Sequence, residues 1–269
     1  MKLKFLGTAA AEGFPALFCN CKYCSEARRL GGKNIRTRSQ ALVNDDLLID
    51  FPADTYHHFL MNGIEGDKIE NLIVTHSHMD HCYPDDLEMR HPPYAHDMYF
   101  PTIGVYAAQG AYNKLTAKPR KNVNYNLLIP YETVKIGRYE VTPLPARHAD
   151  GDGAVFYIIK GDSTLLYAHD TGYFFEEVFD FIEKSGYVFD AVTLDCTFVD
   201  LDDNYSSHMG LRNNRLVFER LVKIGAVTEK TVKIINHFSH NGNPRHDRVE
   251  TLVEGEGILV SFDGMEIDF

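Results

Sequence analysis

Short apolar runs separated by glycine, proline and acidic turn residues recur along the chain and predict β-strands. Two of them, residues 41–43 and 47–49, flank Asn44-Asp45-Asp46, a pattern typical of a hairpin. The predicted strands are residues 2–7, 41–43, 47–49, 71–75, 103–107, 139–145, 154–160, 163–168, 188–194, 232–235 and 258–262. Stretches with helical periodicity predict helices over residues 54–61, 109–115, 174–184 and 211–223.

The order of these elements predicts one mixed α/β domain over residues 1–269, with two sheets and helices outside them. Hairpins come first, strands and helices then alternate, and no linker or change of composition interrupts the chain. Residues 83–101 have a poor pattern, with several prolines and aromatic side chains. The length of this loop indicates a lid or a substrate wall rather than a linker. Residues 197–205 are a second candidate substrate wall.

Composition narrows the class of protein. With 44% hydrophobic and 24% charged residues the chain is globular, and its net charge of −11 argues against a nucleic-acid polymer as partner. No apolar run approaches the roughly 18 residues that a membrane span needs. The first eleven residues lack the apolar core of a signal peptide, so we expect a cytoplasmic protein. Its five cysteines then suggest metal binding or free thiols.

The densest chemical signal is the segment Thr-His-Ser-His-Met-Asp-His at residues 75–81, at the end of an apolar strand. His76 and His78 point the same way at extended spacing, and the following turn can bring Asp80 and His81 to a second point nearby. Imidazole and carboxylate are ligands that suit Zn, Mn and Fe. The alternative is a polar turn whose histidines only form hydrogen bonds, but so tight a cluster would repel itself on protonation unless a metal held it. The segment therefore predicts a metal site.

Three other polar residues follow predicted strands and are candidate partners for this cluster. They are His148, Asp170 in Asp170-Thr171-Gly172, and His237. Each signal is weak by itself, because a polar residue at a strand end is usually a cap or a solvated turn. Together with the cluster they form a set.

The H-x-H-x-D-H segment and Asp170-Thr171-Gly172 resemble two motifs of the metallo-β-lactamase superfamily, and the resemblance extends over roughly residues 1–262. It implies an α/β fold, the αβ/βα sandwich, with a catalytic centre of two divalent ions, Zn or Mn. It also implies that His76, His78 and His148 hold one ion, that Asp80, His81 and His237 hold the other, and that Asp170 bridges them.

A second cluster has the spacing C-x-C-x2-C at Cys19, Cys21 and Cys24. This spacing lets three thiolates converge on one Zn, with His240 as the candidate fourth ligand. The alternative is free thiols in an N-terminal loop. Together with His237-x-x-His240, the segment resembles the PhnP-type cyclic-phosphate phosphodiesterase subfamily. That resemblance implies a structural Zn that ties the N-terminal loop to the segment carrying His237. We expect Cys82 and Cys196 to pack as small apolar side chains.

His208 lies in the region where that subfamily carries a histidine proposed as general acid. A simple cap at the start of the following helix is an equally good interpretation. A basic stretch after the cysteines would be able to steer a phosphate, although a solvated charge run is the more common explanation. Its residues are Arg28, Arg29, Lys33, Arg36 and Arg38.

The predicted function is a metal-dependent phosphodiesterase that hydrolyses a small, cyclic phosphodiester with an activated water, with catalytic roles for Asp80 and His208. The candidate substrates are phosphoribosyl and nucleoside cyclic phosphates. One alternative is a thioester or lactone hydrolase on the same metals, and another is a non-catalytic PqqB-like accessory or carrier protein. The expected partner is the small substrate alone, without a nucleic-acid polymer or a membrane. The sequence leaves the oligomeric state open, a homodimer included.

Overall fold

The computed structural model describes residues 1–148, 151–201 and 207–269. Strands and helices alternate through most of this part of the chain. The strands are β1 Lys2–Gly7, β2 Gln40–Val43, β3 Leu47–Ile49, β4 Asn71–Val74, β5 Ile103–Ala107, β6 Val123–Leu127, β7 Val134–Ile136, β8 Tyr139–Pro145, β9 Val155–Lys160, β10 Thr164–Ala168, β11 Ala191–Asp195, β12 Val232–Asn236, β13 Ile258–Val260 and β14 Glu266–Asp268. The α-helices are α1 Lys22–Leu30, α2 Thr55–Asn62, α3 Gln109–Thr116, α4 Glu176–Ser185, α5 Leu211–Lys223 and α6 His246–Leu252. Short 3₁₀ helices span Gly32–Asn34, Gly66–Lys68, Pro84–Arg90 and His240–Gly242.

The strands form two seven-stranded sheets. The first has the order β14-β1-β2-β3-β4-β5-β6, and the second has the order β13-β12-β11-β10-β9-β8-β7. In each sheet antiparallel strands lead into four parallel ones, which are β3 to β6 in the first and β10 to β13 in the second. Because the carboxyl ends of parallel strands meet at one edge of a sheet, residues that follow these strands are brought together.

The main core lies between the two sheets. Phe5 and Ile49 of the first sheet pack there with Tyr157 and Tyr167 of the second, all fully buried. A second core forms where α4 and α5 cover the outer face of the second sheet, and a third where α2 and α3 cover the first. Each large apolar side chain removed from water contributes about 1.5–3 kcal/mol to the stability of the fold. The three cores therefore hold together four layers: helices, the first sheet, the second sheet and helices. The predicted αβ/βα sandwich is confirmed.

Most predicted elements match the structure within two residues, but β11 begins later than predicted. It starts at Ala191 rather than at residue 188, because the Phe189 N–H donates to Ala226 O and the Asp190 side chain accepts from Thr164 N, outside the β-ladder. The helices α1 and α6 and the strands β6, β7 and β14 were not predicted. That residues 1–269 are one domain stays a prediction.

In the described ranges, no helix has the length and apolar character that a membrane span requires.

Candidate metal centre

The seven predicted ligands of the two-ion centre all follow strand ends. His76, His78, Asp80 and His81 follow β4, His148 follows β8, Asp170 follows β10 and His237 follows β12. The first sheet thus supplies four side chains and the second supplies three. The structure brings all seven together at one edge of the sandwich.

His76, His78 and His148 form one group, which we call the first trio. Each offers a ring nitrogen, and these nitrogens lie within 4.8 Å of one another. His148 Nε2 is 3.1 Å from His78 Nδ1, and the ring centroids of His76 and His148 are 4.7 Å apart. His76 is buried, whereas His78 is exposed to solvent. The first trio therefore has one open side.

Asp80, His81 and His237 form the second trio. Their ligand atoms also lie within 4.8 Å of one another, and all three residues are buried. His81 Nε2 is 3.2 Å from Asp80 Oδ2. The side chains of the second trio are therefore shielded from solvent.

Asp170 lies between the two trios. Its Oδ2 is 2.6 Å from His81 Nε2 and 3.0 Å from His237 Nε2, while its Oδ1 is 3.7 Å from His148 Nε2. One carboxylate thus faces both groups, as a bridging ligand must. Asp170 has φ +50°, a left-handed conformation that aspartate tolerates better than most residues. His237 shares this feature with φ +64°.

Four buried atoms of this cluster make no well-aligned hydrogen bond among the described residues, although Asp170 Oδ2 lies within 3.0 Å of both His81 Nε2 and His237 Nε2. They are His76 Nε2, His81 Nε2, His237 Nε2 and Asp170 Oδ2. Buried polar atoms are nearly always hydrogen-bonded, so four such atoms converging on one place require an explanation. Imidazole nitrogens and carboxylate oxygens at this separation fit divalent cations. The residues present therefore suit the two-ion centre that the sequence predicts.

Asp50, which follows β3, fixes the ligands from behind. Its Oδ2 is 2.7 Å from His81 Nδ1, and its Oδ1 accepts hydrogen bonds from Thr75 N at 2.8 Å and Thr75 Oγ1 at 2.9 Å. Thr75 Oγ1 is in turn 3.0 Å from His76 Nδ1. A hydrogen bond on Nδ1 fixes the ring and leaves Nε2 as the ligand atom. Sequence reasoning missed Asp50, although it follows a buried strand just as Asp170 does.

Asp195, at the end of β11, has the same role on the second sheet and was also missed. Its Oδ2 lies 3.5 Å from His237 Nδ1 and 2.9 Å from His208 Nδ1. Thr197 Oγ1 lies 2.9 Å from His237 Nδ1 and donates to Asp195 Oδ2 at 3.2 Å. Asp195 is fully buried. One carboxylate therefore orients a predicted metal ligand and the predicted general acid.

The two trios differ in electrostatics. Burial lowers the pKa of His76 well below its ordinary value, and the neighbouring His81 adds to the shift. Burial also opposes the charged form of His237, but the Asp170 and Asp195 carboxylates outweigh it and raise the pKa to about 10. The pKa of His81 is raised for the same reason, by Asp170, Asp80 and Asp50 against burial. Negative charge is thus concentrated around the second trio, where a cation would be stabilised.

His208 lies next to the two trios, with a ring nitrogen within 4.8 Å of ligand atoms of Asp170, Asp195 and His237. Its ring centroid is 4.8 Å from that of His148, and its Nδ1 is 3.7 Å from Asp170 Oδ1. Burial lowers the pKa of His208, but the Asp195 carboxylate outweighs burial and raises it above the ordinary value. A simple cap is a poorer explanation, because Asp195 holds the ring at the centre and α5 begins three residues later with no side-chain cap. Residues 202–206, which include positions 202–205 of the predicted substrate wall 197–205, lie outside the described residues.

The cysteine cluster assembles as its spacing predicts. The Sγ atoms of Cys19, Cys21 and Cys24 and a ring nitrogen of His240 lie within 4.8 Å of one another, with Cys24 Sγ 3.6 Å from His240 Nδ1. The hydrogen bond from the Cys24 backbone N–H lowers the pKa of the Cys21 thiol to about 6. Three thiols and one imidazole at such distances fit a tetrahedral Zn site. Cys82 and Cys196 are buried in apolar clusters, as predicted.

Three arginines of the basic stretch after the cysteines make close hydrogen bonds or ion pairs within the protein. Arg28 Nη2 donates to Cys19 O at 2.7 Å, and Arg38 forms an ion pair with Asp54 at 3.1 Å. Arg36 is 2% exposed and donates to Thr8 Oγ1 and Ser261 O. These three guanidinium groups serve internal contacts, which weakens the phosphate-steering interpretation.

The loop 83–101 packs outside the first sheet. It contains the 3₁₀ helix Pro84–Arg90 and, together with α2, lines a cavity of about 930 Å³ that is open to solvent. Phe51, Phe59 and Met98 contribute to the wall of this cavity, but none of the seven predicted ligands does. That the loop forms a substrate wall stays a prediction.

Comparison with known proteins places this fold and its ligand cluster in a family. Residues 49–238 match the Beta-lactamase superfamily domain, and this range contains all seven predicted ligands of the two-ion centre. The chain belongs to this family. No curated protein sequence matches it significantly.

Solved structures share the fold over nearly the whole chain. A diphosphatase of the PhnP family superposes with a TM-score of 0.76 at 21% identity, covering 100% of this chain and 96% of the other. Zn-bound PqqB from Methylobacterium extorquens gives 0.72 at 16% identity, covering 100% of both chains. The short form of human tRNase Z gives 0.65 at 14% identity, covering 100% and 99%. These identities are low, so the likeness concerns the fold.

Proposed function

We propose that this protein is a metal-dependent phosphodiesterase that hydrolyses a small, cyclic phosphodiester. One observation carries the proposal: Asp170 presents one oxygen to the buried second trio and the other to His148 of the first trio. Membership of the Beta-lactamase superfamily domain family supports a hydrolase. The fold shared with a PhnP-family diphosphatase supports chemistry at phosphorus.

The ligand groups would hold two divalent cations, with His76, His78 and His148 on one, Asp80, His81 and His237 on the other, and Asp170 on both. Such cations supply Lewis acidity, which polarises a phosphoryl oxygen and makes water acidic enough to act as a nucleophile at neutral pH.

Asp80 is ionised in this surrounding. Burial raises the pKa of its carboxyl, but His81 and His237 outweigh burial and hold the pKa below the ordinary value. An ionised carboxylate is a hydrogen-bond acceptor with two oxygens. Asp80 can therefore bind an ion through one oxygen and orient the attacking water through the other.

His208 supplies the proton for the leaving oxygen. Its Nδ1 is held by Asp195 at 2.9 Å, which leaves Nε2 to carry a proton into the reaction. Asp195 also favours the protonated ring, as the raised pKa of His208 shows. General acid catalysis by a histidine oriented in this way accelerates a reaction by about 10²–10⁴-fold.

The substrate class follows from charge and kinship. The chain carries a net charge of −11, so a polyanion is repelled at long range while a small monoanion pays little for its approach. The C-x-C-x2-C segment with His240 resembles the cyclic-phosphate subfamily. Phosphoribosyl and nucleoside cyclic phosphates are therefore the proposed substrates.

Two other functions use the same structure. A thioester or lactone hydrolase would need the same ions, and a PqqB-like accessory role is favoured by the PqqB fold match over both complete chains. The accessory role does not require a complete ligand set, yet all seven positions are filled here and four of their atoms make no well-aligned hydrogen bond among the described residues. We therefore favour catalysis.

The test is hydrolysis of bis(p-nitrophenyl) phosphate by the purified chain with Mn²⁺ or Zn²⁺, after chelation, and after metal is restored. We expect turnover that chelation abolishes and metal restores. A panel of cyclic phosphates, thioesters and lactones then ranks the substrate classes. Faster hydrolysis of thioesters or lactones, or no turnover of any ester by folded, metal-loaded protein, would overturn the proposal.

A further inference from the structure

A four-residue segment, His237 to His240, joins the two metal clusters. His237 belongs to the second trio, and His240 belongs to the cysteine cluster. Only Phe238 and Ser239 separate them. A displacement of this segment at one cluster is therefore transmitted to the other through three peptide units, which have few degrees of freedom.

Backbone hydrogen bonds hold the His237–His240 segment in place from two sides. Phe238 N donates to Thr8 O and Ala10 N donates to Phe238 O, both at 3.0 Å. On the other side Ser239 N donates to Thr197 O at 3.2 Å. Together with the left-handed conformation of His237, these bonds define one conformation for both histidines.

Glu12 attaches the segment to the loop that carries the cysteines. Its Oε1 accepts hydrogen bonds from Ser239 Oγ at 2.6 Å and from His240 N at 3.1 Å, and it lies 4.0 Å from His240 Nε2. Its own carbonyl accepts from Leu17 N at 3.1 Å, two residues before Cys19. One side chain thus fixes the His240 backbone relative to the thiols.

We propose that the His237–His240 segment couples metal binding at the two clusters, and that Glu12 is the positioning residue for this coupling. The inference rests on the metal-binding roles of the proposed function. An ion on the three thiols and His240 holds the segment in the conformation that His237 needs in the second trio. Because coupling between sites is reciprocal, an ion in the second trio strengthens the cysteine cluster by the same factor.

The first test compares the variants Glu12→Ala and Glu12→Gln with wild type. Zn²⁺ affinity of the cysteine cluster is followed by thiolate absorption, and Mn²⁺ affinity of the two-ion centre by electron paramagnetic resonance. Removal of residues that orient ligands weakens metal binding by about 10–100-fold, so we expect Glu12→Ala to weaken both ions by at least about tenfold. Glu12→Gln should restore most of both affinities, since an amide oxygen accepts the same two hydrogen bonds.

The matched control is Glu176→Ala in α4. Glu176 pairs with Arg220 of α5 at 2.9 Å, on the helices that cover the outer face of the second sheet, and its removal should leave both affinities unchanged. Glu12→Ala protein that is less stable to heat but binds both ions as wild type does would reduce Glu12 to a structural residue and overturn the proposal. Weaker Zn²⁺ binding with unchanged Mn²⁺ binding would overturn the coupling.

A second measurement does not depend on Glu12 variants that fold. Cys21→Ser removes one thiolate from the cysteine cluster, and we expect the Mn²⁺ affinity of the distant centre to fall about tenfold, within the usual range of coupling between sites. Equal Mn²⁺ affinity in Cys21→Ser and wild type would overturn the coupling alone. No Mn²⁺ or Zn²⁺ binding by the wild-type centre would overturn the proposed function, and the coupling with it.

Discussion

The two trios of the candidate metal centre differ in what stands behind their imidazole rings. In the first trio His76 Nδ1 faces the Thr75 hydroxyl, with Asp50 one hydrogen bond further away, and His148 Nδ1 faces the neutral Ser207 carbonyl. In the second trio His81 Nδ1 faces the Asp50 carboxylate, and His237 Nδ1 faces Thr197 with Asp195 behind it. The first trio includes the exposed His78, whereas the second is buried throughout.

This difference assigns the trios different tasks. A carboxylate behind a ligating histidine makes the ring a stronger donor and fixes its orientation, and it typically accounts for a factor of about 10–100 in metal affinity. We expect the second trio to hold its ion more tightly and the first trio to exchange more readily. We propose that substrate enters at the open side of the first trio, next to His208.

Replacement of the residue that both trios share has the largest expected effect. Asp170→Ala removes the bridge and leaves His81 and His237 without the carboxylate that faces both. We expect at least about a thousandfold lower phosphodiesterase activity, which corresponds to a loss of about 4 kcal/mol of transition-state stabilisation by the metal ions. Hydrolysis of bis(p-nitrophenyl) phosphate and metal content measure the effect. Asp162→Ala, at an exposed aspartate at the opposite end of β10 from Asp170, is the control, and unchanged activity in Asp170→Ala would contradict the mechanism.

Replacement of His208 separates chemistry from metal binding. His208→Ala should lower the rate by about 10²–10⁴-fold for esters with an alkoxide leaving group. The loss should be much smaller for a p-nitrophenyl ester, because that leaving group departs without a proton. Metal content should stay at the wild-type value. Equal losses on both esters, or loss of an ion, would show that His208 belongs to the metal site and is not the acid.

Replacement of Asp50 tests the difference between the trios directly. Asp50→Asn presents an amide to His81 and Thr75, and we expect metal affinity in the second trio to fall about 10–100-fold, with a smaller loss in the first. A two-site Mn²⁺ titration measures both. Asp54→Asn is the matched control, since Asp54 lies close in sequence and pairs with Arg38 instead of a ligand. Equal weakening of both trios would contradict the account.

The sequence predicts the ligands of the centre better than the residues that support them. His76, His78, Asp80 and His81 are four chemical groups within six residues, a local signal that needs no fold. Asp50 and Asp195 are single carboxylates after apolar strands, as are many solvated turn residues. Their importance depends on which histidines the two sheets bring to them, and only the assembled structure shows this. The same signal that identified Asp170, a polar residue where a buried strand stops, would have found both.

The fold shows the same limit at its edges. The strands β9, β10 and β11 were predicted because apolar side chains dominate their sequences. In the structure, four or more consecutive positions of each strand are buried. The strand β14 has exposed positions at both ends, and α1 buries only Cys24 and Ala27, so neither has an apolar pattern to detect. The strand β14 forms because it pairs with β1 at the edge of the first sheet, and α1 forms next to the cysteine cluster. Both depend on contacts between residues far apart in the sequence.

The most direct test of the account is an anomalous diffraction measurement on crystals of the chain soaked with Mn²⁺ and Zn²⁺, with data at each metal edge. We predict three peaks per chain: one at the first trio, one at the second trio with Asp170 between them, and a Zn peak among Cys19, Cys21, Cys24 and His240. A single peak at the two trios, or none, from crystals of folded protein would contradict the claim that these seven residues form a two-ion centre.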